Sequence, residues 1–508
     1  MTILELPPTQ SGNTPPMVIV NEIETAPAKN GLLARIEEKL EDQFYDKNGE
    51  AYLTIGGAKG KPSRTVPVLS KPCAMLIRET HYRTEGKGID TRKLEEIQST
   101  LAAMAIFDGD LKEVNIRVAR TDDGAVEIDL GDDTGNCVRV KAGEKLSIQR
   151  PTARFVRPEG FGSIAFDEME KPDFDRIWKY VCVTDPLDRV LISSWLVMTL
   201  RGKGPFPILA IQGERGSAKS TTTRILRALV DPGRGETRGT PKSVDDLFIA
   251  AKGGHVLSFD NLSGMSHQLS DGFCRLSTGG AVAKRKLYTT GEEAVHEACR
   301  PVIFNGIDGI ISKSDLHSRA VGIHLPRISE EQRQDEDPLW KSFEEDRSAI
   351  FVGLLMALKT ALERVDTVHL DRMPRMADFG RFATAAEPGF GFSEGAVINA
   401  LTQRQHEAEL NNLDVDPVAP RIISWLKGDK TGWDQQKKGV IEGTVTEVWE
   451  FLAPPSDKPS NWPKTASHFS QHLARITPDL RSVGIIVERP PRASQRKAVI
   501  IRKMEESE

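Results

Sequence analysis

The sequence predicts an α/β protein built around a central parallel sheet, with a small α+β domain before it and two further units after it. Three observations lead to this class. Short apolar strands recur at 207–211, 255–259 and 301–304, each followed by polar or glycine residues and separated by helical sequence. Alternating apolar residues within 51–155 indicate the strands of the preceding domain. Two helical patterns and two strand patterns then follow one another in 440–503.

Composition places the chain among ordinary soluble proteins. It has 508 residues, of which 39% are hydrophobic and 28% are charged, and its net charge is −5. This balance excludes a fully disordered or collagen-like chain, and it confines any contact with nucleic acid to a local basic surface. The longest apolar run, Leu191–Leu200, is too short to span a bilayer and predicts a buried helix.

Targeting and redox signals favour a cytoplasmic protein with no membrane partner. No Lys or Arg precedes Lys29 and no apolar core segment accompanies it, so we expect no signal peptide. The cysteines form no close pair, which fits reduced thiols better than a disulfide framework or a zinc knuckle. They stand at positions 73, 137, 182, 274 and 299.

Composition and periodicity divide the chain into five parts. Residues 1–30 contain five prolines and little apolar periodicity, which predicts a mobile tail. In the next part, Glu127 and Asp129 place two carboxylates on one strand face. No histidine or third carboxylate can be placed with them, so a solvated hairpin face is favoured over a metal site. The predicted units are an α+β domain at 31–170, a central core at 171–330, a helical region at 331–426 and a C-terminal domain at 427–508.

A short apolar strand, a glycine-rich loop and a helix follow one another in the central core. This is the context of a P-loop. Gly213 and Gly216 allow the backbone to turn its N–H groups inward, where they and the helix N-terminus hold phosphates. Lys219 then neutralises the β- and γ-phosphate oxygens, and Ser220 ligates Mg²⁺. A chance glycine-rich turn is the alternative.

The generic P-loop has a glycine where Ala218 stands. A methyl group there is expected to require a negative φ. The predicted nucleotide-binding residues are Gly213, Glu214, Arg215, Gly216, Ser217, Ala218, Lys219, Ser220 and Thr221.

The two further strands end in polar residues that suit the same chemistry. Asp260 lies 41 residues after Lys219 and ends an apolar strand, as a Walker B aspartate does, and it would hold Mg²⁺ through water. Asn261 stands where most motor ATPases have a glutamate, and it can position water but cannot accept a proton. Asn305 ends the third strand, where a side chain can contact both the γ-phosphate and the attacking water as sensor 1. A turn-forming strand end is the alternative for Asn305.

A short predicted helix ends at Arg319, directly before a strand at 320–325. An arginine at this point cannot easily reach the nucleotide of its own chain. In ring ATPases it contacts the γ-phosphate of the neighbouring subunit as an arginine finger, and a surface salt bridge is the alternative. The catalytic candidates are therefore Lys219, Asp260, Asn261, Asn305 and Arg319, and the metal candidates are Ser220 and Asp260.

Walker A, Walker B, sensor 1 and arginine finger follow in this order within about 110 residues, which resembles the AAA+ class. The chain is most similar to superfamily 3 and minichromosome-maintenance helicases, and the latter usually have alanine at the position of Ala218. A second resemblance is to replicative helicases of bacterial prophages, plasmids and integrated elements, and it is specific over 205–327 and diffuse elsewhere in 45–500. The residues that carry it are Asp260-Asn-Leu-Ser, Thr278-Gly-Gly, Arg285-Lys-Leu-Tyr and Arg300-Pro-Val-Ile-Phe-Asn-Gly.

This resemblance implies an AAA+ P-loop motor that binds ATP and Mg²⁺ and assembles as a homo-hexamer. It also implies single-stranded or forked DNA as a partner, with a primase as a further candidate. Asn261 departs from the Asp or Glu of the better-known helicases, which puts the rate of hydrolysis in question but not nucleotide binding.

Two basic regions are candidate DNA contacts. Residues 278–291 predict a hairpin from which Lys284, Arg285 and Lys286 would grip phosphates, as the basic hairpin of superfamily 3 motors does. A solvated basic loop, or an Arg285 that reaches a neighbouring nucleotide, is the alternative.

The second basic region belongs to a winged-helix-like pattern that starts with a capping box at Thr444–Glu447. From Arg481 to Lys503 there are seven basic residues and one acidic residue, a net charge of +6 that suits phosphate contacts. A protein-binding or merely soluble wing is the alternative. The DNA-binding candidates here are Arg489, Arg492, Arg496 and Lys497.

The favoured function is an ATP-dependent DNA helicase or translocase, a ring-forming replicative motor of a mobile genetic element. The alternative is a non-translocating ATP switch, a ring that binds DNA for replication initiation, regulation or defence, and Asn261 favours it. A small-molecule kinase is disfavoured because it explains neither Arg319 nor the basic wing.

Overall fold

The computed structural model describes most of the chain. The described residues are 31–57, 61–235, 237–262, 264–285, 293–307, 314–428, 439–454, 459–489 and 498–504. Among them, no helix has both the length and the apolar character needed to cross a membrane. All five cysteines fall in these ranges as free thiols, as predicted.

The first sheet has four strands and packs against two long helices. Its elements in chain order are α1 (Leu32–Glu37), β1 (Leu40–Tyr45), β2 (Ala51–Ile55), β3 (Arg64–Pro67), α2 (Lys71–Glu85), α3 (Thr91–Phe107) and β4 (Asp110–Leu111). The strand order is β3-β2-β1-β4, and only β4 pairs in parallel. Helix α3 begins directly after Asp90, whose carboxylate accepts hydrogen bonds from the N–H groups of Arg92 and Lys93.

A second, antiparallel sheet shares its core with the central unit. Its strands are β6 (Val118–Arg120), β7 (Val126–Asp129), β8 (Cys137–Val140) and β9 (Ser147–Gln149). The flanking strands β5 (Val114–Asn115) and β10 (Arg154–Phe155) pair with each other in parallel as a separate sheet. Strands β6 to β9 lie side by side in chain order, and a turn at 122–124 joins β6 to β7. Val126, Ile128 and Val138 pack in the same hydrophobic cluster as Trp195 of the central unit. The segment predicted as one α+β domain therefore holds three sheets, of which the β6–β9 sheet packs with the core that follows.

The carboxylates of Glu127 and Asp129 do not form a solvated face, so that interpretation is wrong. Glu127 is fully buried and accepts hydrogen bonds from the N–H groups of Thr152 and Ala153 at 2.8 and 2.9 Å. Asp129 is also buried and receives two hydrogen bonds from Arg157 at 2.8 and 2.6 Å. Buried carboxylates with such partners are structural, because the hydrogen bonds offset the cost of removing them from water.

The central unit contains a parallel sheet. Its elements are α4 (Pro186–Thr199), β11 (Ile208–Gln212), α5 (Lys219–Val230), α6 (Val244–Ala250), β12 (Leu257–Leu262), α7 (His267–Thr278), β13 (Gly280–Arg285), β14 (Glu293–Ala298), β15 (Val302–Gly306), α8 (Ser314–His317) and β16 (Ala320–His324). The sheet order is β12-β15-β11-β16, with every pair parallel. Strand β15 thus lies between β11, which leads into the P-loop, and β12, which carries Asp260. Because parallel strands share one carboxyl edge, the predicted phosphate-binding residues meet there. The apolar run Leu191–Leu200 lies mostly in α4 and is buried, as predicted.

Four helices follow the sheet. They are α9 (Glu336–Arg364), α10 (Ala377–Phe390), α11 (Ala396–Val415) and α12 (Ala419–Leu426). Helix α10 falls within the predicted helical region at 331–426, and it buries Phe379, Phe382 and Ala386 in the same cluster as Leu354 of α9. These spacings of three and four residues were the available signal for a helix.

The C-terminal domain combines helices with a three-stranded antiparallel sheet. Its elements after α12 are β17 (Val440–Thr444), α13 (Val445–Leu452), α14 (Ala466–Ser482), β18 (Ile485–Glu488) and β19 (Ala498–Lys503), with the strand order β17-β19-β18. The capping box is confirmed, since the Thr444 N–H donates to Glu447 Oε2 at 2.7 Å and the Glu447 N–H donates to Thr444 Oγ1 at 3.3 Å. Helix α12, which the sequence assigns to the preceding region, packs in this core through Ile422 and Leu426.

Candidate nucleotide-binding site

The loop between β11 and α5 depends on two glycines for different reasons. Gly216 has a φ of +82°, a left-handed conformation that glycine adopts without strain. At Gly213, a Cβ atom would stand 2.5 Å from the carbonyl oxygen of Leu325, so the close approach of the next segment excludes a side chain. Buried Ser217 donates a hydrogen bond to the Glu214 carbonyl oxygen at 2.9 Å and closes the loop.

Ala218 has a φ of +54°, so the expectation of a negative φ at this residue is wrong. It stands directly before Lys219, where the chain turns from the loop into α5. The left-handed conformation costs an alanine roughly 1–2 kcal/mol. Strain of this kind is common where a loop is shaped for a ligand. Of the other predicted loop residues, Glu214 and Arg215 are exposed, and Thr221 is half-buried in the first turn of α5.

The ammonium group of Lys219 lies over the loop. Its Nζ donates hydrogen bonds to the carbonyl oxygens of Gly213 and Glu214 at 2.8 and 2.6 Å. Lys219 is the first residue of α5, whose first turn contains no acidic side chain. Since a helix N-terminus carries a partial positive charge, a lysine there adds to that charge and does not stabilise the helix. The Lys219 ammonium and the helix N-terminus together favour the binding of an anion at the start of α5.

Ser220 and Asp260 meet at the carboxyl edge of the sheet. Ser220 Oγ donates a hydrogen bond to Asp260 Oδ1 at 2.8 Å, and both side chains are accessible. A hydroxyl and a carboxylate are oxygen ligands of the kind that Mg²⁺ takes, usually with phosphate and water oxygens completing the shell. Within the part of the chain that the structure describes, no three His, Cys, Asp or Glu side chains are grouped to hold a metal. The two predicted metal ligands fit Mg²⁺ only together with phosphate and water oxygens.

Strand β12 ends in a β-bulge that contains Asp260 and Asn261, the predicted Walker B pair. The register with β15 shifts between Phe259 and Leu262, so Asp260 and Asn261 together stand opposite the single residue Asn305. Asn261 has a φ of +55°, a conformation that asparagine tolerates better than most residues. Its side chain is exposed, as a water-positioning role requires.

Asn305 is buried, and its carboxamide has two protein partners. Oδ1 accepts a hydrogen bond from the Asn261 N–H at 3.0 Å, and Nδ2 donates to Thr223 Oγ1 on α5 at 3.0 Å. Asn305 therefore ties the bulge of β12 to the helix that follows the P-loop. Its contact with a γ-phosphate stays a prediction, and these bonds give it a positioning role besides.

We expect Asn261→Gly to change the free energy of unfolding by less than about 0.5 kcal/mol, because glycine adopts the same left-handed conformation freely. Asn261→Val should lower it by roughly 1–2 kcal/mol, because a β-branched residue is strained there. Urea unfolding measures both variants. The glycine variant should also lose ATP turnover, since it cannot orient water. Unchanged turnover in a stable glycine variant would contradict the water-positioning role.

The segment after β16 crosses the P-loop and was outside the predicted site. The Leu325 N–H donates to the Gln212 carbonyl oxygen at 2.9 Å, and the Ile328 N–H donates to the Gly216 carbonyl oxygen at 3.2 Å. Arg333 Nη2 lies 3.8 Å from the position that a Cβ of Gly216 would take. This segment therefore brings a further guanidinium close to the predicted phosphate position.

A cavity of about 800 Å³ beside α5 was also outside the predicted site. Its lining comprises Gly160–Gly162, Arg224 and Gly233–Gly235. Arg224 forms an ion pair with Glu336 at 3.2 Å, and its guanidinium lies 4.9 Å from the ring centre of Trp340. The cavity therefore combines a cationic and an aromatic side chain, Arg224 and Phe161, in its lining. Local sequence carries no signal for it, because its parts come from distant segments.

Arg319 lies at the sheet edge opposite to the P-loop. The next residue, Ala320, pairs with Ile208 at the start of β11, whereas the P-loop follows Gln212 at its end. The four residue steps between them span about 13 Å, which puts the P-loop out of reach of this side chain. Arg319 forms an ion pair with Asp315 on α8. The salt bridge that the sequence analysis named as the alternative is thus present, and the contact with a neighbouring subunit stays a prediction.

The predicted basic hairpin is confirmed in part, because its second strand, β14 (Glu293–Ala298), lies beyond the predicted end at residue 291. Residues Gly280 to Arg285 of β13 pair in antiparallel register with β14. Lys284 and Arg285 hold the last paired positions of β13, where the hairpin approaches its tip. Lys286 lies outside the described residues.

The wing of the C-terminal domain is described in part. Arg489 is exposed after β18, and its guanidinium donates a hydrogen bond to the Ser470 carbonyl oxygen of α14 at 2.7 Å. Arg492, Arg496 and Lys497 lie outside the described residues, so their contact with DNA stays a prediction.

Comparison with protein families identifies the group to which the chain belongs. Residues 175–401 match the family model of the actinomycete integrative conjugative element replication protein, AICE RepA. Residues 418–508 match the model of the AICE RepA C-terminal domain, and the two matches together cover more than half of the chain. The chain belongs to the RepA family. The predicted role in the replication of a mobile element is confirmed at this level.

The two RepA matches correspond approximately to the central unit with its following helices and to the C-terminal domain. The first spans the parallel sheet and ends within α11, and the second begins one residue before α12. This start agrees with the packing of α12 in the C-terminal core.

Comparison with curated proteins gave no match to this RepA-family chain. A similar solved structure is the A form apo structure of the NrS-1 C-terminal region, with a TM-score of 0.42 and 11% sequence identity. That similarity covers 94% of this chain and 100% of the other.

Proposed function

We propose that this RepA-family protein is an ATP-dependent DNA helicase or translocase that works as a ring-forming replicative motor. Two observations support the proposal. The family consists of replication proteins of mobile elements. The strand order also resembles that of AAA+ motors, with the Asn305 strand between the P-loop strand and the Asp260 strand.

The arrangement of Lys219, Ser220 and Asp260 carries the proposal. Ser220 and Asp260 are 40 residues apart in sequence but share a hydrogen bond at the end of the sheet where the P-loop stands. ATP phosphates would lie at the N-terminus of α5 against the Lys219 ammonium, and Mg²⁺ held by Ser220 and Asp260 would neutralise the charge that develops in phosphoryl transfer.

Arg319 would complete the site from a neighbouring subunit. Its side chain cannot reach the P-loop of its own chain, yet it is one quarter exposed and stands at a sheet edge. A closed ring of identical subunits, proposed as a hexamer, would give every P-loop one such arginine.

The basic hairpin is the proposed contact with single-stranded DNA. Helix α7 runs directly into β13, and its C-terminal residue Thr278 is separated from β13 by Gly279 alone. The hairpin therefore emerges between the strands that carry Asp260 and Asn305, so a movement of these strands on hydrolysis can reach Lys284 and Arg285 near its tip.

The test is a forked-DNA strand-displacement assay run beside an ATPase assay on the full chain. We expect ATP-dependent displacement, with ATP turnover stimulated by single-stranded DNA. A protein that binds ATP and DNA but neither hydrolyses nor displaces would exclude the motor.

The double variant Lys284→Ala/Arg285→Ala should lose DNA stimulation of ATP turnover and strand displacement. Removing two phosphate contacts should also lower the slope of log affinity against log salt by about 1.4–1.8 for DNA binding. The matched control is Arg92→Ala/Lys93→Ala, an exposed Arg-Lys pair at the start of α3. Normal displacement by the hairpin variant would show that the hairpin does not drive translocation.

A non-translocating ATP switch is the second candidate, and Asn261 is the observation that favours it. An exposed asparagine beside Asp260 can orient water but cannot accept its proton. In a switch, ATP would assemble a ring on DNA with turnover near zero. ATP-dependent assembly without displacement would identify this case.

A further inference from the structure

Two arginines share one carboxylate oxygen at the sheet edge opposite to the P-loop. Arg375 Nη2 donates a hydrogen bond to Asp315 Oδ1 at 2.9 Å, and Arg319 Nη1 forms an ion pair with the same oxygen. The side chains of Asp315 and Arg375 are 46% and 55% exposed. The cluster therefore lies at the surface, where another molecule can reach it.

This cluster combines two positive charges with one negative charge. Two guanidinium groups converge on a single oxygen, and each would repel the other if that oxygen were neutral. The pKa of the Asp315 carboxyl is held below its usual value, chiefly because Arg319 donates a hydrogen bond to it. A phosphate group offers more acceptor oxygens and more charge than one carboxylate, so it can replace Asp315 between the two arginines.

Asp315 also lies against the helix that leads to the basic hairpin. The Cys274 side chain of α7 contacts the Asp315 carboxylate and helps to lower its pKa. Helix α7 continues through Gly279 into β13. A change of partner at Asp315 would therefore alter a contact of α7, the helix that leads into the first strand of the hairpin.

We propose that Arg319 and Arg375 together form the γ-phosphate site for ATP bound by a neighbouring copy, and that Asp315 is a built-in competitor which occupies this site until that phosphate displaces it. This inference rests on the proposed function. It adds a second arginine to the γ-phosphate site and makes the displacement of Asp315 a condition for contact between subunits. Displacing Asp315 breaks two ion pairs, so engagement between subunits would be favoured by a neighbour whose γ-phosphate replaces both of them.

For Asp315→Asn, the proposal predicts more ATP turnover at low protein concentration, whereas a merely structural role of Asp315 predicts less. Removing the competing charge should lower the protein concentration that gives half-maximal ATP turnover by roughly fivefold or more, a typical coupling between two linked sites. If Asp315 only braces Arg319, the same variant should lose turnover as Arg319→Ala does, and that outcome overturns the proposal. Asp315→Glu keeps the charge and should retain the wild-type concentration dependence.

Arg375→Ala should lower maximal turnover at least tenfold in the assembled protein while leaving nucleotide binding by the dilute monomer unchanged. The control is Arg372→Ala, an exposed arginine three residues earlier, which lines the same pocket as Arg319 and Arg375 but forms no ion pair with Asp315 among the described residues. Equal turnover in the two variants overturns the role of Arg375. Because wild-type turnover is measured in the same series, its absence would overturn the proposed function itself, whereas normal wild-type turnover with an inert Arg375→Ala would overturn this inference alone.

Discussion

ATP turnover should fall by at least about 10³-fold when Lys219 is replaced by alanine. The Lys219 ammonium stands over the P-loop, within 2.8 Å of two loop carbonyl oxygens. From there the flexible side chain can move with the β- and γ-phosphate oxygens and neutralise the negative charge that develops on them in the transition state. The partial charge of the α5 N-terminus remains in the variant, but it is fixed in place and smaller than a full charge.

Steady-state phosphate release by the purified full-length variant is the measurement. Lys203→Ala, which removes an exposed lysine upstream of β11, is the control and should retain wild-type turnover. An unchanged unfolding midpoint in Lys219→Ala shows that the loss is chemical. Wild-type turnover in this variant would remove the P-loop assignment altogether.

The second large effect is expected for Arg319→Ala, which should lower turnover by about 10³-fold while monomers still bind ATP. The reason is geometric, because Arg319 precedes β16 at the end of the sheet away from the P-loop. Its loss therefore leaves every nucleotide contact within one chain intact. Equilibrium binding of an ATP analogue by dilute protein, beside turnover at high protein concentration, separates the two effects.

Mixing the two inactive proteins tests the direction of this contact. An Arg319→Ala subunit retains a sound P-loop, and a Lys219→Ala subunit retains a sound arginine, so mixed rings contain some complete sites. We expect turnover to reappear when the proteins are combined. Co-assembly without any recovered activity would show that Arg319 does not act across subunits.

The P-loop and the strand tips were readable from the sequence because each is a local pattern. A strand, a glycine loop and a helix are contiguous, and Lys219 and Ser220 occupy fixed places in that run. The hairpin and the capping box at Thr444 are local in the same sense, and the capping box is confirmed in full and the hairpin in part. The interpretation of Glu127 failed because alternation within a strand shows which residues share a face, but not whether another segment covers that face.

Backbone conformation at single residues needed the structure. Ala218 adopts a left-handed conformation although the sequence analysis required a negative φ. The register shift that places both Asp260 and Asn261 opposite Asn305 is a property of the strand pair, and neither strand specifies it alone. The two hydrogen bonds of the Asn305 carboxamide follow from that register.

The sequence by itself determined which residues carry the proposed phosphate chemistry and the order in which they stand, since nearest neighbours along the chain fix a helix N-terminus and a strand end. Only the tertiary structure decided which charged residues from distant segments pair with each other. Arg224 meets Glu336 across 112 residues, and Arg375 meets Asp315 across 60. Such pairs depend on how helices pack against the sheet, and packing is set by the whole hydrophobic core, which no local pattern encodes.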